Sequence, residues 1–382
     1  KKIILYGEGW NFGSLLDKNP SEAMTQQNAY GSRIATFNDR MRDALRGGSN
    51  SEFSDQGFVT GLYYDFNREP ANRDTPWDMG QQLNRLNFYG DVVRIGMAGN
   101  LRDYEFEDFL GHRIRAGNHY FRGSPTGYAA SPLETINYVS VHDGHTLWDA
   151  IVGRLPFNTQ WRNPGSATLT EKVGLHRMAL AFVLMSQGIP FIESGSEILR
   201  SKAGDVDSYD SGDFFNVLDF SYGTTLRPLA LPPAWKNFSE WDFWRPRLLE
   251  GALDVTQAEI EQTVTWVEQL LMLRKSSPLF RLRTLEEVQA CVSFPRSMGG
   301  ARLDPSVIVM QIADVIGRDD KIDKITLVFN VGKHEQVIEK KKKVRTVQIL
   351  DRIAVANEQR PNYNNRNDVL TVPPRSLGIM IE

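Results

Sequence analysis

The segment Ile136-Asn137-Tyr138-Val139-Ser140-Val141-His142-Asp143-Gly144 decides the fold class of this 382-residue chain. Its first six residues favour a β-strand by composition, and the strand runs directly into a histidine, an aspartate and a glycine. Two other apolar segments end in a similar way: residues 2–6 lead into Gly7-Glu8-Gly9, and residues 189–192 lead into Glu193-Ser194-Gly195. Polar groups at the carboxyl ends of strands are typical of parallel β/α proteins, which hold their chemistry there.

Segments with helical spacing alternate with these strands. Apolar residues recur at helical intervals in residues 78–95, 170–187 and 256–276, and residues 33–38 form one further strand candidate. Residues 47–78 are rich in Gly, Asn, Ser, Asp and Pro and are predicted to be mainly loop. This alternation predicts an α/β domain with a parallel sheet over residues 1–277.

The pattern changes after about residue 278. Strand-like stretches are separated by Gly, Asn and Pro turns, and no segment has a convincing helical pattern; the stretches are residues 306–313, 324–331, 344–350, 369–372 and 377–381. This change predicts a separate all-β domain over residues 278–382.

Composition excludes several classes of function. The chain has 44 Lys and Arg against 47 Asp and Glu, so it lacks the basic excess of a nucleic-acid-binding protein. The basic run Lys340–Lys343, followed by Arg345, is short and is predicted to be a solvated turn or strand edge. The single cysteine, Cys291, excludes an internal disulfide and a Cys-X-X-Cys metal site. No apolar run approaches the ~18 residues of a membrane span.

Aromatic residues make up 10% of the chain, and many stand beside Asp, Asn or Gly, as in Gly9-Trp10-Asn11-Phe12 and Asp213-Phe214-Phe215-Asn216. Flat rings beside short polar groups suit sugars, which have apolar faces and hydroxyl rims. Ordinary core and turn aromatics would give the same pattern, so this feature alone leaves both interpretations open.

Two carboxylates, Glu8 and Asp143, lie at the tips of different predicted strands. Retaining glycoside hydrolysis requires one carboxylic acid to protonate the leaving oxygen and one carboxylate to attack the anomeric carbon. Spacing alone is a weak signal, because surface carboxylates at strand ends would look the same.

The local sequences carry a family resemblance. Residues 6–13, Tyr-Gly-Glu-Gly-Trp-Asn-Phe-Gly, closely resemble the acid/base segment of pullulanases and limit dextrinases, in the α-amylase family of glycoside hydrolases (family 13). A Trp two residues after the Glu is typical of the α-1,6-debranching members. Residues 138–149 resemble the later motif that carries the third catalytic acid. Further resemblances follow the order of the family at residues 37–40, 42–48, 186–191, 195–202 and 207–216.

The resemblance implies an architecture and two catalytic residues. The α/β part would be the C-terminal half of a (β/α)8 TIM barrel, and a β-sandwich would follow it. Glu8 would be the general acid/base, which protonates the α-1,6 glycosidic oxygen and then activates water; this role needs a pKa raised by burial and neighbouring carboxylates. Asp143 would stabilise the transition state by binding hydroxyls of the sugar at the cleavage point.

The resemblance also implies four substrate-binding residues. His142 would donate a hydrogen bond to the same sugar, and Asp213 would contact a sugar further toward the non-reducing end. Trp10 and Phe12 would form part of a platform for the glucose units that flank the bond, although core packing would also explain these two rings.

Two substitutions depart from the family pattern. The position after His-Asp is often Asn in the family and is Gly144 here, followed by His145 where Gln or Glu is usual. The loss of that side-chain hydrogen bond would weaken binding at the cleavage point. Val217 stands where family members often have Arg, which puts the outer sugar contact near Asp213 in doubt.

The family's nucleophile, an Asp within Arg-X-Asp on an earlier strand, has no match in this sequence. Tyr64-Asp65-Phe66 lies in loop context and follows Glu8, which is the wrong order. We therefore expect the chain to begin at about the fifth barrel strand, to be a C-terminal fragment of a longer protein, and to be inactive alone.

The expected function is hydrolysis of α-1,6 branch linkages in pullulan, amylopectin, glycogen or limit dextrins, with retention at the anomeric carbon. One alternative is a relative with isoamylase-like or α-1,4 specificity, and another is a silent starch-binding homologue. The expected partner is a branched α-glucan, with no nucleic acid and no membrane; protein partners stay open, and so does the compartment, whether plastid, cytoplasm or cell exterior.

No organic cofactor is expected, because the carboxylates carry the reaction. Calcium occurs in the family, and loops rich in Asp and Asn could offer it oxygen ligands. No loop has a spacing that identifies a metal site, so none is predicted.

Overall fold

A computed structural model describes residues 3–15, 21–48, 52–157, 165–223, 230–339, 361–364 and 368–382. Its described residues up to Pro190 form eight short strands: β1 (Tyr6–Gly7), β2 (Ala35–Phe37), β3 (Glu105–Glu107), β4 (Arg113–Arg115), β5 (Tyr120–Phe121), β6 (Ser124–Pro125), β7 (Thr135–Asn137) and β8 (Ile189–Pro190). The α-helices of the described residues before residue 278 are α1 (Asp39–Arg46), α2 (Met79–Met97), α3 (Leu147–Arg154), α4 (Leu169–Met185), α5 (Asp213–Asn216), α6 (Ala234–Asn237), α7 (Trp241–Leu249) and α8 (Gln257–Ser276).

Four of these strands form one parallel sheet in the order β1-β2-β7-β8. Neighbouring strands pair at Tyr6 with Ala35, Thr36 with Thr135 and Ile136 with Ile189. Helices α1 and α2 connect β2 to β7, and α3 and α4 connect β7 to β8. The predicted mixture of helices with a parallel sheet is confirmed.

The strands of this sheet are shorter than their apolar runs predicted. The run 136–141 continues β7 only to Asn137, because its later groups bond elsewhere: the Val139 carbonyl accepts a hydrogen bond from Arg46 Nη1 at 2.8 Å. Residues 3–5 of the predicted strand 2–6 likewise lie outside β1. Apolar composition therefore predicted the presence of each strand but not its length.

The three predicted long helices are present, and a side chain caps each of them. Asp78 Oδ1 accepts a hydrogen bond from the Gln81 backbone N–H at the start of α2. Thr168 and Thr256 form capping boxes, each with a glutamate three residues later, at the starts of α4 and α8. Such caps satisfy backbone donors that a helix N-terminus leaves unpaired.

The last third of the chain contains mainly antiparallel sheets. Its strands are β9 (Val292–Ser293), β10 (Ser297–Met298), β11 (Ala301–Arg302), β12 (Val307–Ala313), β13 (Lys324–Asn330), β14 (Gln336–Glu339), β15 (Asn362–Asn364), β16 (Val369–Val372) and β17 (Ser376–Ile381). One sheet has the order β17-β13-β12-β9 and another the order β14-β16-β15. Four of the five predicted strands are confirmed. The fifth, residues 344–350, and the basic run Lys340–Lys343 with Arg345 lie outside the described residues.

The expectation of no helix after residue 278 is wrong. Helix α9 spans Leu285–Cys291, and the Thr284 hydroxyl accepts a hydrogen bond from the Glu287 N–H at 3.2 Å to cap it. The helix has only seven residues and buries Val288 and Cys291. So short a segment contains too few turns for helical periodicity to stand out in the sequence.

The parallel sheet's helices and the antiparallel strands share one apolar core. Phe182 of α4 stacks on Phe329 of β13 with ring centroids 4.3 Å apart. The same buried cluster extends from α1 and α2 through α4 and α8 to β12, β13 and β17. The Tyr104 hydroxyl donates a hydrogen bond to the Val292 carbonyl at 3.0 Å, across the same junction. The predicted domain boundary between residues 277 and 278 stays a prediction. Residues on both sides of it belong to this one buried cluster.

Strand β1 is an edge of the parallel sheet, and apolar side chains beside it are exposed. Ile3 is 86% exposed, Ile4 57% and Leu5 61%. Apolar side chains at a sheet edge usually lie against another element. Among the described residues, no helix is both long and apolar enough to cross a membrane.

Candidate active site

One aromatic ring comes from the end of each strand of the parallel sheet, and the four rings pack together. Phe37 of β2 is at the centre, with ring centroids 5.0 Å from Tyr138, 5.4 Å from Phe191 and 6.1 Å from Tyr6. The contacts are edge-to-face, the arrangement that aromatic quadrupoles favour. This layer gives the carboxyl ends of the four strands a rigid apolar floor.

A cleft of about 470 Å³ opens at this layer. Four of the six predicted site residues line it: Glu8, Trp10, His142 and Asp143. Residues far apart in sequence, from two different strand ends, thus meet at one cavity. The cleft combines carboxylates, an imidazole and aromatic rings, which are the groups needed to bind a sugar and to transfer protons.

The other two predicted residues do not line this cleft. Phe12 is 80% exposed, and Asp213 is exposed at the first position of α5. The segment that contains Asp213 reaches the cleft through Leu218 instead. Two hydrogen bonds join the ends of the loop before Leu218. The Asn216 side-chain N–H donates to the Ser208 carbonyl at 2.6 Å, and the Ser208 hydroxyl donates to Asn216 Oδ1 at 2.9 Å.

Glu8 is held at the cleft by the turn that follows β1. Gly9 has a φ of 82°, and a Cβ there would lie 2.6 Å from Thr36 Cβ. The Gly9 carbonyl accepts a hydrogen bond from the Gln26 N–H at 2.7 Å. Only glycine combines this backbone conformation with so close an approach to β2, so Gly9 sets the direction in which the chain presents Glu8 and Trp10.

His142 and Asp143 are held from below by a buried polar group. The Lys202 ammonium donates a hydrogen bond to the His142 carbonyl at 3.3 Å, and the Gly144 N–H donates to the Val206 carbonyl at 2.8 Å. The motif that carries Asp143 is therefore joined to residues 202–206 on both of its sides.

Asp149 fixes that second segment. Its carboxylate accepts hydrogen bonds from the Ser201 hydroxyl at 2.5 Å, the Lys202 N–H at 2.9 Å and the Gly204 N–H at 3.1 Å. Burial raises the pKa of Asp149, and these three hydrogen bonds oppose that rise. Asp149, in the same motif as Asp143, thus acts as a structural support for it.

Arg42 and Tyr138 line the cleft but were not predicted as site residues. Arg42 Nη1 donates a hydrogen bond to the Tyr138 hydroxyl at 2.8 Å, and Arg42 Nε donates to Asp43 at 2.7 Å. Burial raises the pKa of Tyr138, so the phenol stays protonated at neutral pH. The resemblance at residues 42–48 and 138–149 was the available signal, but it assigned no role to either side chain.

Glu193 and Arg200 also line the cleft and were missed. They form an ion pair of 3.4 Å between two almost buried side chains. The sequence contained a signal for Glu193, because it follows the apolar run 189–192 much as Glu8 follows residues 2–6.

His145 belongs to the core rather than to the cleft. Its ring is buried and lies 4.3 Å from that of Phe53 and 6.2 Å from that of Trp244. The presence of His145 where the family usually has Gln or Glu therefore affects core packing next to the motif, not the lining of the cleft. The described residues contain no group of three or more His, Cys, Asp or Glu side chains that could hold a metal ion.

Comparison with known proteins finds similarity to pullulanases. Residues 229–382 match the family model described as alpha-1,6-glucosidases, pullulanase-type, C-terminal. The chain is 35% identical over its whole length to pullulanase 1, chloroplastic, of Arabidopsis thaliana, and covers 39% of that protein. It is 36% identical to a pullulanase of Klebsiella aerogenes, over 82% of this chain and 27% of that protein.

The fold agrees as well. A maltotriose complex of PulA from Klebsiella pneumoniae superposes with a TM-score of 0.83 at 30% identity, over 99% of this chain and 39% of that structure. The chain thus spans about two fifths or less of the length of these relatives. The matching sequences, the family model and the common fold together identify this chain as a member of the pullulanase family.

Proposed function

We propose that this chain forms the acid/base and sugar-binding side of an enzyme that hydrolyses α-1,6-glucosidic linkages in pullulan, amylopectin, glycogen or limit dextrins. The observation that carries the proposal is the common cleft of Glu8, Trp10, His142 and Asp143 above the aromatic layer. The solved maltotriose complex of a similar pullulanase supports an α-glucan as the ligand class.

In the proposed mechanism, the anomeric configuration is retained through two displacements. A carboxylate nucleophile, which we expect upstream of this sequence, forms a bond to the anomeric carbon while Glu8 protonates the departing glycosidic oxygen. Glu8 then takes a proton from water, whose oxygen displaces the nucleophile. Asp143 and His142 bind hydroxyls of the sugar ring as it flattens, and Trp10 stacks on a flanking glucose.

Phe12 and Asp213 lie outside the lining of the cleft. Phe12 is predicted to contact glucose units that flank the bond, and Asp213 a sugar further toward the non-reducing end. Their exposure suits groups that meet a long substrate outside the cleft. Trp10 also lines a neighbouring groove of about 330 Å³ with Gln27 and Arg122, which offers room for a second part of a branched chain.

We also propose that the parallel sheet is the C-terminal half of a (β/α)8 barrel and that a β-sandwich follows it. The exposed apolar residues beside β1 support this, because the other half of a barrel would cover them. Glu8 is exposed among the described residues, so the enclosure that a general acid needs would come from that half or from substrate. On this proposal, the chain alone is inactive.

Two alternatives make different predictions. An isoamylase-like or α-1,4-acting enzyme would cleave other linkages, and a silent homologue would bind starch without cleaving it. To decide among them, the full-length protein that contains this sequence is expressed, and the reducing ends that it releases from pullulan are measured. The same assay is applied to a Glu8→Gln variant of the full-length protein and to the chain alone.

Release of maltotriose that falls by several orders of magnitude in Glu8→Gln would support α-1,6 cleavage with Glu8 as the acid. If a folded protein binds starch but releases nothing from pullulan, the debranching proposal is wrong. Activity of the chain alone would contradict the expectation of an upstream nucleophile.

A further inference from the structure

Glu193 is a third acidic residue in the cleft, and the proposed mechanism does not use it. It lies three residues beyond the end of β8, on the sheet's side opposite Glu8. It lines the same cleft as Glu8 and Asp143. Its place at a strand end resembles theirs, but its surroundings differ.

The Glu193 side chain is only 8% exposed, and its two oxygens have different environments. One oxygen, Oε1, accepts from Arg200 Nη1 at 3.4 Å. The other, Oε2, is buried and has no hydrogen-bond partner among the described residues. The Ser140 hydroxyl is near enough to lower the pKa of this carboxyl, but its own oxygen also lacks a partner of hydrogen-bond geometry.

An unsatisfied carboxylate oxygen in such a position is costly. A buried polar group without a partner destabilises a protein by about 1–3 kcal/mol, and more when it is charged. Burial raises the pKa of Glu193, while the positive charges of Lys202, Arg200 and Arg46 act against that rise. Burial has the largest effect, so the net direction of the pKa is upward, and Oε2 is left without a donor of hydrogen-bond geometry among the described residues.

A purely structural role does not require the second oxygen. Oε1 alone accounts for the pairing with Arg200, and Lys202 already donates a hydrogen bond to His142. Because Glu193 lines the cleft, a ligand bound there is the source of a donor for Oε2 that the described residues do not provide. Sugar hydroxyls are neutral donors of suitable size, and a charged acceptor strengthens such a hydrogen bond.

We propose that Glu193 is a further sugar-binding and specificity-determining residue, whose Oε2 accepts a hydrogen bond from one glucose hydroxyl in the cleft. This inference rests on the proposed function, since it takes an α-glucan as the ligand. It adds a contact from the β8 end of the sheet to those predicted from β1 and β7.

The test measures binding of maltotriose, and of a set of maltotrioses that each lack one hydroxyl, to the full-length protein by calorimetry. Glu193→Ala removes the acceptor, and Glu193→Gln retains the shape and a bond to Arg200. Glu268→Gln, at an exposed position of α8 away from the cleft, is the matched control. Thermal unfolding of each variant establishes that it is folded.

We expect Glu193→Ala to weaken maltotriose binding roughly 10- to 100-fold, as for loss of a hydrogen bond to a charged group, and Glu193→Gln to weaken it less. The wild-type protein should reject one deoxy analogue by a similar factor, and Glu193→Ala should accept that analogue almost as well as maltotriose. A merely structural glutamate would lower affinity for all analogues alike.

Two results would overturn the inference separately from the proposed function. If the wild-type protein hydrolyses pullulan and both Glu193 variants discriminate among the analogues as it does, Glu193 does not bind the sugar and the proposed function stands. If the wild-type protein neither hydrolyses pullulan nor binds maltotriose, the proposed function is wrong and this inference fails with it.

Discussion

The two sides of the parallel sheet hold their acidic residues in different ways. On the β1 side, Glu8 is exposed at the edge of the sheet and is directed by one glycine turn and one backbone hydrogen bond from Gln26. On the β7–β8 side, Asp143 and Glu193 stand above buried groups that include Asp149 and Lys202. The side that we propose binds sugar is therefore held by buried contacts within this chain, whereas Glu8, the proposed acid, is held by fewer contacts among the described residues.

Asp143→Asn should have the largest effect, because it removes a charge that we propose is bound to the sugar in the transition state. In the full-length protein, kcat for pullulan should fall roughly 10³-fold, with thermal stability nearly unchanged. Asp242→Asn is the control, since the Asp242 side chain is 97% exposed. A fall below tenfold would mean that the β7–β8 side does not stabilise the transition state.

Asp149→Ala tests the support beneath Asp143. It removes a buried acceptor of three hydrogen bonds from residues 201–204, so the free energy of unfolding should fall by about 3 kcal/mol. Urea denaturation measures the loss, and the exposed Asp320→Ala should change stability by less than about 0.5 kcal/mol. If both variants were equally stable, Asp149 would not support the β7–β8 side, and the two sides of the sheet would not differ in this respect.

His176 makes the β8 side sensitive to acid. Its ring Nε2 lies 2.7 Å from the Ser196 carbonyl, and burial lowers the pKa of His176 to about 4, against about 6.5 when unfolded. Both states are neutral at pH 7; as the pH falls below 6.5, the unfolded state takes up the proton first, and stability is lost until about pH 4.

The loss attributable to His176 should be about 2 kcal/mol at pH 5. Denaturation of wild type and His176→Gln at pH 7 and pH 5 measures it as the difference between their pH responses. His112→Gln is the matched control, because the His112 side chain is 68% exposed. Identical pH responses of wild type and His176→Gln would contradict the prediction.

Gly9→Ala and Gly7→Ala form a matched pair on the β1 side. At Gly9 the φ is positive and an added Cβ would meet Thr36, so stability should fall by about 1–2 kcal/mol and Glu8 should be displaced. At Gly7 an added Cβ would meet nothing within 4 Å, and we expect little change. Similar stability and pullulan hydrolysis in the two variants would show that the turn does not direct Glu8.

Much of the fold could be predicted from local patterns. Helices α2, α4 and α8 are long, apolar at helical intervals and capped by Asp or Thr, so their presence and bounds followed closely from the sequence. Strand lengths could not be predicted, because Val139 leaves the sheet for a bond to Arg46, a residue 93 positions away. Helix α9 was missed because its seven residues span too few turns for the helical period to be recognised in the sequence.

The lining of the candidate site could be predicted in part, where its residues stand in a distinctive local sequence. Glu8, Trp10, His142 and Asp143 line one cleft, whereas Phe12 and Asp213 lie outside its lining, and the roles of all six stay predictions. Arg42, Tyr138 and Glu193 were missed, because their importance depends on which partners they meet. No local pattern distinguishes a glutamate whose second oxygen is unpaired from one that is solvated.

By itself, the sequence determined the alternation of helices and strands, the strand ends where the polar groups stand, and membership of the pullulanase family. Only the tertiary structure decided which of those strand ends face one cleft, which acids are buried and which partners they have. It also joined the antiparallel sheets to α4 through Phe182 and Phe329. The reason is physical: periodicity and turn chemistry act over a few residues, whereas burial and charge pairing depend on groups brought together across the whole chain.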